Sequence, residues 1–167
     1  MTQHEIIEQL RSRFGERLGA WREMSEGSAY QRRMGSHLEL LDAKIIRELA
    51  FYLRDEPSLG FDHLLLISSL DNGDGTLSIV YHLESMRNNH QLVIKVTVQA
   101  EAASVPSVTS VWAHANWHER EAWDMMGIRF EGHPDLRRML LDEDYPGHPL
   151  RKDFKEPEFY HGMKVPY

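Results

Sequence analysis

The sequence contains no cysteine, and this absence excludes several kinds of site. Without thiols the chain forms no disulfide, builds no cysteine-based zinc module and ligates no iron–sulfur cluster with its own thiolates. Long apolar runs are also missing, since a stretch such as Leu64 to Ile67 is far shorter than the roughly 20 residues that span a bilayer. We therefore expect no membrane-spanning helix. Glu5 and Glu8, without a basic region before an apolar stretch, predict that the N-terminus is not a secretory signal.

An excess of positive charge is absent as well. The chain has 19 Lys and Arg against 26 Asp and Glu, which gives a net charge of −7 with histidine neutral. Because nucleic-acid binding needs clustered basic residues that displace counterions, we expect no nucleic-acid partner. A length of 167 residues, with 41% hydrophobic and 27% charged residues, is typical of one globular cytosolic domain.

Helical patterns occur twice in the first half of the chain. Thr2 and Glu5 have the spacing of a capping box, and Gly19 is placed to end the first helix. Asp42 can cap the second helix, which Pro57 and Gly60 end. The apolar residues with helical spacing are Ile6, Leu10, Phe14 and Leu18 in the first, and Ile45, Ile46, Leu49 and Leu53 in the second.

Strand patterns lie between and after these helices. Residues 20–24 and 36–41 predict a hairpin around Glu26-Gly27-Ser28, and the continuous apolar segment Leu64 to Leu70 predicts a central strand. Two alternating strands follow, with inward residues Leu77, Ile79, Tyr81 and Leu83, then Leu92, Ile94, Val96 and Val98. The order helix, strand, strand, helix and three strands predicts a two-layer α+β fold. Its helices lie on one face of a mixed, mostly antiparallel sheet.

The composition changes near residue 104. Residues 112–167 contain 9 of the 16 aromatic residues and 5 of the 7 prolines. We expect one domain overall, with an α+β core at residues 1–104 and a C-terminal segment of short helices and turns at residues 105–167. A segment this rich in proline cannot build its own core, so it must pack on the core or on a partner.

Two patterns invite a metal-site hypothesis. The turn at residues 71–75 places glycines where a calcium loop needs oxygen ligands, so a hairpin turn explains it better. His114 and His118 have the i, i+4 spacing of a helical metal pair, yet the sequence suggests no third ligand. Asn116 and Glu119 have capping-box spacing, which predicts that a helix begins there and that His114 precedes it.

The helix that follows has an unusual distribution of charge. In helical projection Trp117 lies between Arg120, Glu121 and Asp124, whereas Glu119 falls on the apolar side. One interpretation is a solvated face with an Arg120–Asp124 pair at i, i+4. The other is a helix packed on both sides, whose charges a partner pairs.

Three consecutive blocks from this helix onward closely resemble a known family. They are residues 119–128 (EREAWDMMGI), 130–140 (FEGHPDLRRML) and 147–154 (GHPLRKDF). In order and spacing they resemble the 30 kDa (C-type) subunit family of proton-pumping NADH-quinone oxidoreductase, respiratory complex I. The resemblance covers residues 36–154 well. Met126 departs from it, since the family often has phenylalanine there.

The resemblance implies a peripheral-arm subunit that carries no cofactor and no catalytic residue of its own. Iron–sulfur clusters, FMN and quinone would belong to partner subunits, and the enzyme would be the whole complex. The implied partners are the 49 kDa-type (D-type) subunit and the iron–sulfur subunits, at the cytoplasmic face of the inner membrane. The implied partner interface consists of Trp117, Glu119, Arg120, Glu121, Asp124, Gly127, His133, Pro134, Asp135, Arg137, Arg138, Pro149, Leu150, Arg151, Lys152 and Asp153.

Two alternatives remain open at this point. An equivalent subunit of a ferredoxin- or F420-linked dehydrogenase, or of a membrane-bound hydrogenase complex, would share these blocks. A different class is a stand-alone metal-dependent enzyme that uses His114, His118 and Glu119.

Overall fold

The computed structural model describes residues 1–24, 26 and 35–165. Its first helix begins at a capping box, because Glu5 N–H donates to Thr2 Oγ1 while Thr2 N–H donates to Glu5 Oε2. The helix ends earlier than predicted: Gly15, at φ +56°, caps it, and Gly19 lies in a strand instead. The larger elements are α1 (Gln3–Phe14), β1 (Leu18–Arg22), β2 (His37–Leu40), α2 (Ile46–Asp55), β3 (His63–Asp71), β4 (Thr76–Ser85), β5 (His90–Gln99), β6 (Ser104–Pro106), α3 (Ala115–Met126), β7 (Arg129–Glu131), β8 (Phe159–Tyr160) and β9 (Met163–Lys164).

The main sheet has the order β1-β2-β5-β4-β3. Among the described strands of this sheet, only β2 and β5 pair in parallel, so the mixed and mostly antiparallel sheet is confirmed. β1 and β2 form the predicted antiparallel pair, although most of the predicted turn at residues 26–28 falls outside the described residues. The predicted central position of β3 is wrong, because β3 is an edge strand.

The apolar sequence of β3 is explained by its packing against a helix. α3 lies against β3, and Leu64 and Ile67 are buried in the common core. The strand is therefore covered although it has a neighbour on one side only.

The apolar faces of α1 and α2 pack together with the inward-facing residues of the sheet and form one core. Ile6, Leu10, Leu49 and Leu53 are completely buried, as are Leu77 and Ile79. Asp42 Oδ1 accepts the Lys44 N–H and caps a short 3₁₀ turn, Ala43–Ile45, that leads into α2. The same core includes Val105, Ala122 and Phe130, so residues from both predicted segments bury their apolar surface together.

Beyond residue 104 the chain has little regular pairing. β6 and β7 form a short parallel pair, with α3 between them in the chain. Residues 132–158, here called the C-terminal segment, contain no helix or strand, and a small β8–β9 hairpin follows them. Side chains of α3 hold this segment in place.

Candidate functional site

Asp124 of α3 organises the start of the C-terminal segment. Its side chain is completely buried, and Oδ1 accepts a hydrogen bond of 2.9 Å from Arg138 Nη1. Oδ2 accepts three backbone N–H groups, those of Met139, Leu140 and Leu141, at 2.8–3.1 Å. Burial alone would raise the pKa of Asp124, but these four donors together outweigh it, so the pKa lies below its ordinary value.

Two arginines of the site, Arg120, which is buried, and Arg138, whose side chain is 11% exposed, also bind backbone carbonyls. Arg120 donates from Nε to Arg137 O and from Nη2 to Arg138 O, each at 3.1 Å. Arg138 donates in addition to Tyr145 O and Gly147 O. The structure therefore contradicts the interpretation in which Arg120 and Asp124 pair with each other, because both side chains bind residues of the C-terminal segment instead. Arg120 and Asp124 of α3 thus find their partners within the chain.

Glu119 faces the opposite side of α3. The helix begins at Ala115 after His114, and no side chain caps it, so the predicted capping box of Asn116 and Glu119 is wrong. Instead Glu119 Oε1 accepts Val108 N–H at 2.7 Å, and Oε2 accepts Ser107 Oγ–H at 2.6 Å. Burial raises the pKa of Glu119 to about 7, against the opposing effect of these hydrogen bonds.

The end of α3 is capped by residues from the third sequence block. Gly127 has a left-handed conformation with φ +72°, and a Cβ there would lie 2.5 Å from His148 Cδ2. Leu150 N–H donates to Met125 O, and Arg151 Nε donates to Met126 O at 2.8 Å. The Arg151 guanidinium thus binds a carbonyl that the helix leaves free and lies at the negative end of its dipole.

Lys152 connects the third block to the β3–β4 turn. Its backbone N–H donates to Asp71 Oδ2 at 2.8 Å, while Asp71 Oδ1 accepts Gly73 N–H. Asp74 Oδ1 accepts Thr76 N–H in the same turn. The carboxylates of Asp71 and Asp74 thus accept hydrogen bonds from backbone N–H groups of the chain, as expected in a hairpin turn. The structure gives no support to a calcium loop.

His133 and Asp135 form hydrogen bonds in the second sequence block, residues 130–140. His133 Nδ1 accepts Asp135 N–H at 3.0 Å, and its Nε2 lies 3.3 Å from Asn116 O. This arrangement fits a neutral ring that donates from Nε2. Burial lowers the pKa of His133 and favours the same form. Pro134 is exposed, and Asp135 pairs with Arg137 at 2.9 Å on the surface.

The remaining motif residues differ in accessibility. Glu119 and Asp124 have no exposed surface, so neither side chain is available to a partner. Trp117 is 56% exposed and Leu150 is 61% exposed. Glu121 is one helical turn beyond Trp117 and lines, with Leu150, a depression of about 220 Å³ between α3 and β3. Trp117, Glu121 and Leu150 are called the exposed motif surface below. Pro149 is half-buried and Asp153 is exposed.

Sequence reasoning missed several residues of this region. Leu140 is 59% exposed beside the Asp124 contacts, and Ser107 and Thr109 form hydrogen bonds on the buried side of α3. The exposed apolar Leu140 is flanked by Met139 and Leu141, so its local pattern does not distinguish it. The hydroxyls belong to a turn that only the tertiary structure brings to Glu119.

The metal hypothesis finds no support in the described part of the chain. No group of three or more His, Asp or Glu side chains there could hold a metal ion. The rings of His114 and His118 are 4.8 Å apart, but Glu119 binds Ser107 and Val108. Among the same residues, no helix is long and apolar enough to cross a membrane.

The fold is shared with chains of known structure. A chain of the membrane-bound sulfane sulfur reductase, an archaeal respiratory membrane complex, superposes with a TM-score of 0.68 and 24% identity over 91% of this chain and 85% of that one. The trypsin-resistant fragment 1–134 of Nqo5 superposes with a TM-score of 0.59 and 26% identity, over 81% of this chain and all of the fragment. The first of these supports the fold alone. Together they show that the chain has the α+β fold of these two solved structures.

Sequence comparison identifies the family. The family model for the respiratory-chain NADH dehydrogenase 30 kDa subunit matches residues 40–160, and the chain belongs to this family. The C-type subunit of the NADH-quinone oxidoreductase of Chloroherpeton thalassium is 49% identical over 120 residues, 71% of this chain and 50% of that protein. The protein of the same name from Chlorobium phaeobacteroides is 48% identical over 131 residues, 77% of this chain and 79% of that protein. The chain thus spans half the length of the first relative.

Proposed function

We propose that this chain is a peripheral subunit of a proton-translocating NADH-quinone oxidoreductase. The observation that carries the proposal is the family match over residues 40–160, together with relatives that are named as subunits of that enzyme. The chain would contribute to catalysis as part of the complex, in which electrons pass from NADH through iron–sulfur clusters to quinone. The alternative of a hydrogenase-type complex draws no support from these relatives.

In this proposal the chain supports assembly and binds no cofactor itself. FMN, the iron–sulfur clusters and quinone belong to partner subunits, and the chain lies at the cytoplasmic face of the membrane without entering it. Its expected neighbours are the 49 kDa-type subunit and the iron–sulfur subunits. The C-terminal segment is held by the chain's own side chains, so it would present a surface that is ordered before a partner binds, which lowers the entropic cost of association.

The exposed motif surface is the contact that we propose for the partner. Trp117 is a large exposed aromatic residue, with the Arg120 guanidinium 5.4 Å from its ring centroid. Exposed tryptophans of this kind are frequent energetic centres of interfaces. Arg137, Asp135, Lys152 and Asp153 would contribute polar contacts at the rim.

The proposal is tested by purifying the complex through a tag on this chain. Trp117→Ala should weaken retention of the partner subunits, since loss of an interface tryptophan costs about 2 kcal/mol or more. Met86→Ala is the matched control, because Met86 is 70% exposed in the β4–β5 turn, outside the motif blocks. Equal recovery of partners with both variants would contradict the assigned surface, and a wild-type chain that recovers no quinone oxidoreductase subunits would contradict the function.

Of the two adjacent arginines Arg137 and Arg138, Arg137 is the one at which charge reversal tests the proposed partner contact. Arg137 is exposed, so Arg137→Glu should reduce assembly while the chain stays folded. Arg138 is unsuitable for this purpose because its side chain is 11% exposed and bound to Asp124.

A further inference from the structure

Glu119 is a fully buried carboxyl group without a bonded cation among the described residues. α3 holds it against the turn at Ser107 and Val108, and both oxygens accept hydrogen bonds there. A charge in such surroundings is costly, because the two hydrogen bonds replace only part of the water that an ionised carboxylate binds. The neutral form has no such cost.

The groups that face Glu119 do not compensate a negative charge fully. Arg47 of α2 lowers the pKa of the carboxyl electrostatically, but its guanidinium donates to Ser107 O and Glu131 O rather than to Glu119. Tyr81 of β4 is near enough for the Glu119 charge to raise the pKa of its phenol. On α3 itself, Arg120 binds carbonyls of the C-terminal segment. Binding of a proton is then the remaining way to neutralise the Glu119 carboxylate.

A chain of hydroxyl groups leads from Glu119 toward the surface. Ser107 Oγ lies 2.6 Å from Glu119 Oε2 and 2.8 Å from Thr109 Oγ1. Ser107 is buried, whereas Thr109 is partly exposed. Either hydroxyl of the Ser107–Thr109 pair can be the donor, so the hydrogen bonds can run in both directions.

We propose that Glu119 is a proton-binding site that exchanges its proton with solvent through the hydroxyls of Ser107 and Thr109. When Glu119 is ionised, Thr109 donates to Ser107 and Ser107 donates to the carboxylate. A proton that solvent adds to Thr109 Oγ1 releases the hydroxyl proton of Thr109 to Ser107, which passes its own proton to Glu119 Oε2. The carboxyl group then donates to Ser107 and Ser107 donates to Thr109, so the direction of the chain is reversed and one proton has been bound. The Val108 N–H stays on Oε1 in both forms.

Glu119, Ser107 and Thr109 all belong to this chain, so the proposal can be measured on the full chain alone. In an infrared pH titration, the band of the protonated carboxyl should disappear with a midpoint at about 7, the value to which burial raises the pKa of Glu119. Glu119→Gln should lack this band, because its amide reproduces the hydrogen bonds of the neutral acid without a titrating proton. A band that persists in Glu119→Gln, or a midpoint at the ordinary value of 4.5, would overturn the proposal.

The route is tested by transfer of the protein into heavy water at a pH below the midpoint. The carboxyl band shifts when its proton is replaced by deuterium, and the rate of this shift reports the exchange. Thr109→Val should slow the shift by about tenfold or more, which corresponds to about 1.4 kcal/mol or more of added barrier. Thr109→Ser, which keeps the hydroxyl, should exchange at the wild-type rate, and Thr109→Ala should behave like Thr109→Val. Wild-type exchange in both hydroxyl-free variants would refute the route.

Discussion

Asp124 and Arg138 form an ion pair that joins α3 to the C-terminal segment, with 2.9 Å between Asp124 Oδ1 and Arg138 Nη1, although the two residues are 14 positions apart in the chain. Both side chains are almost inaccessible to solvent. The other oxygen of Asp124 binds three consecutive backbone amides. One carboxylate thus fixes both a side chain and a stretch of backbone.

Loss of this carboxylate should be strongly destabilising. Asp124→Ala leaves Arg138 buried without its anion and three amides without their acceptor, and removal of one member of a buried pair costs about 3–5 kcal/mol. Urea denaturation of the isolated chain measures this change in the free energy of unfolding. The control is Asp135→Ala, which removes an exposed pair with Arg137 and should cost at most about 1 kcal/mol. Similar costs for the two variants would mean that Asp124 does not hold the segment.

Alanine at Gly127 should disturb the cap of α3 in two ways. The left-handed conformation strains any residue with a Cβ by about 1–3 kcal/mol, and the new methyl group would meet His148 at 2.5 Å. Gly75→Ala is the matched control, because Gly75 also has a positive φ, +85°, and nothing within 4 Å of a Cβ. Thermal or urea unfolding should show the larger loss for Gly127→Ala. If both variants lose the same stability, the contact with His148 contributes nothing.

Glu119 should make the stability of the chain depend on pH. Its pKa is about 7 in the folded protein and 4.5 ordinarily, so between these values the folded state keeps a proton that the unfolded state has lost. The free energy of unfolding therefore falls as pH rises through this window, by about 3 kcal/mol in total. Below 4.5 Glu119 is protonated in both states and has no such effect.

Comparison with Glu119→Gln isolates this contribution from other titrating groups. The stability of the variant relative to wild type should increase as pH rises from 4.5 to about 7 and then stay constant. Denaturation curves at several pH values measure the difference. A difference that does not change with pH would show that Glu119 titrates alike in the folded and unfolded chain.

The phenol of Tyr81 should be dispensable for stability. Tyr81 is 1% exposed, and its hydroxyl oxygen has no hydrogen-bond partner among the described residues. Because a buried unpaired hydroxyl is unfavourable, Tyr81→Phe should be neutral or stabilising by up to about 1 kcal/mol. Ser107→Ala, which removes a hydroxyl bonded to Glu119, should instead be destabilising. Calorimetric unfolding distinguishes the two, and a large loss in Tyr81→Phe would reveal a partner for its hydroxyl.

Local signals predicted the elements of this fold better than their arrangement. Thr2 with Glu5, and Asp42 before the 3₁₀ turn that leads into α2, act through contacts within a few residues, and the sequence pattern indicated them, although Asp42 caps the turn and not α2 itself. The position of β3 depends on what covers its faces, and an apolar strand under a helix at the sheet edge has the same composition as a central one. The early end of α1 at Gly15 was missed because Leu18 continues the apolar spacing although it belongs to a strand.

The candidate site shows the same limit. The helical projection correctly indicated that Glu119 turns inward and that the charges of α3 need partners. It offered a local Arg120–Asp124 pair as one interpretation because a helix by itself brings together only residues three or four positions apart. Apart from the Arg138 side chain, the true partners are carbonyls and amides of residues 137–141, and backbone groups carry no signal in the sequence.

The contacts of Asp124 also determine which substitutions the C-terminal segment can accept. Oδ2 binds Met139, Leu140 and Leu141 through main-chain amides that every residue except proline possesses. The side chain of Leu140 is therefore free to be replaced without loss of the loop's shape, whereas proline at any of the three positions would remove a donor. The exposed side chains of such a loop can therefore change, while the side chain of Asp124 still fixes the conformation of its backbone.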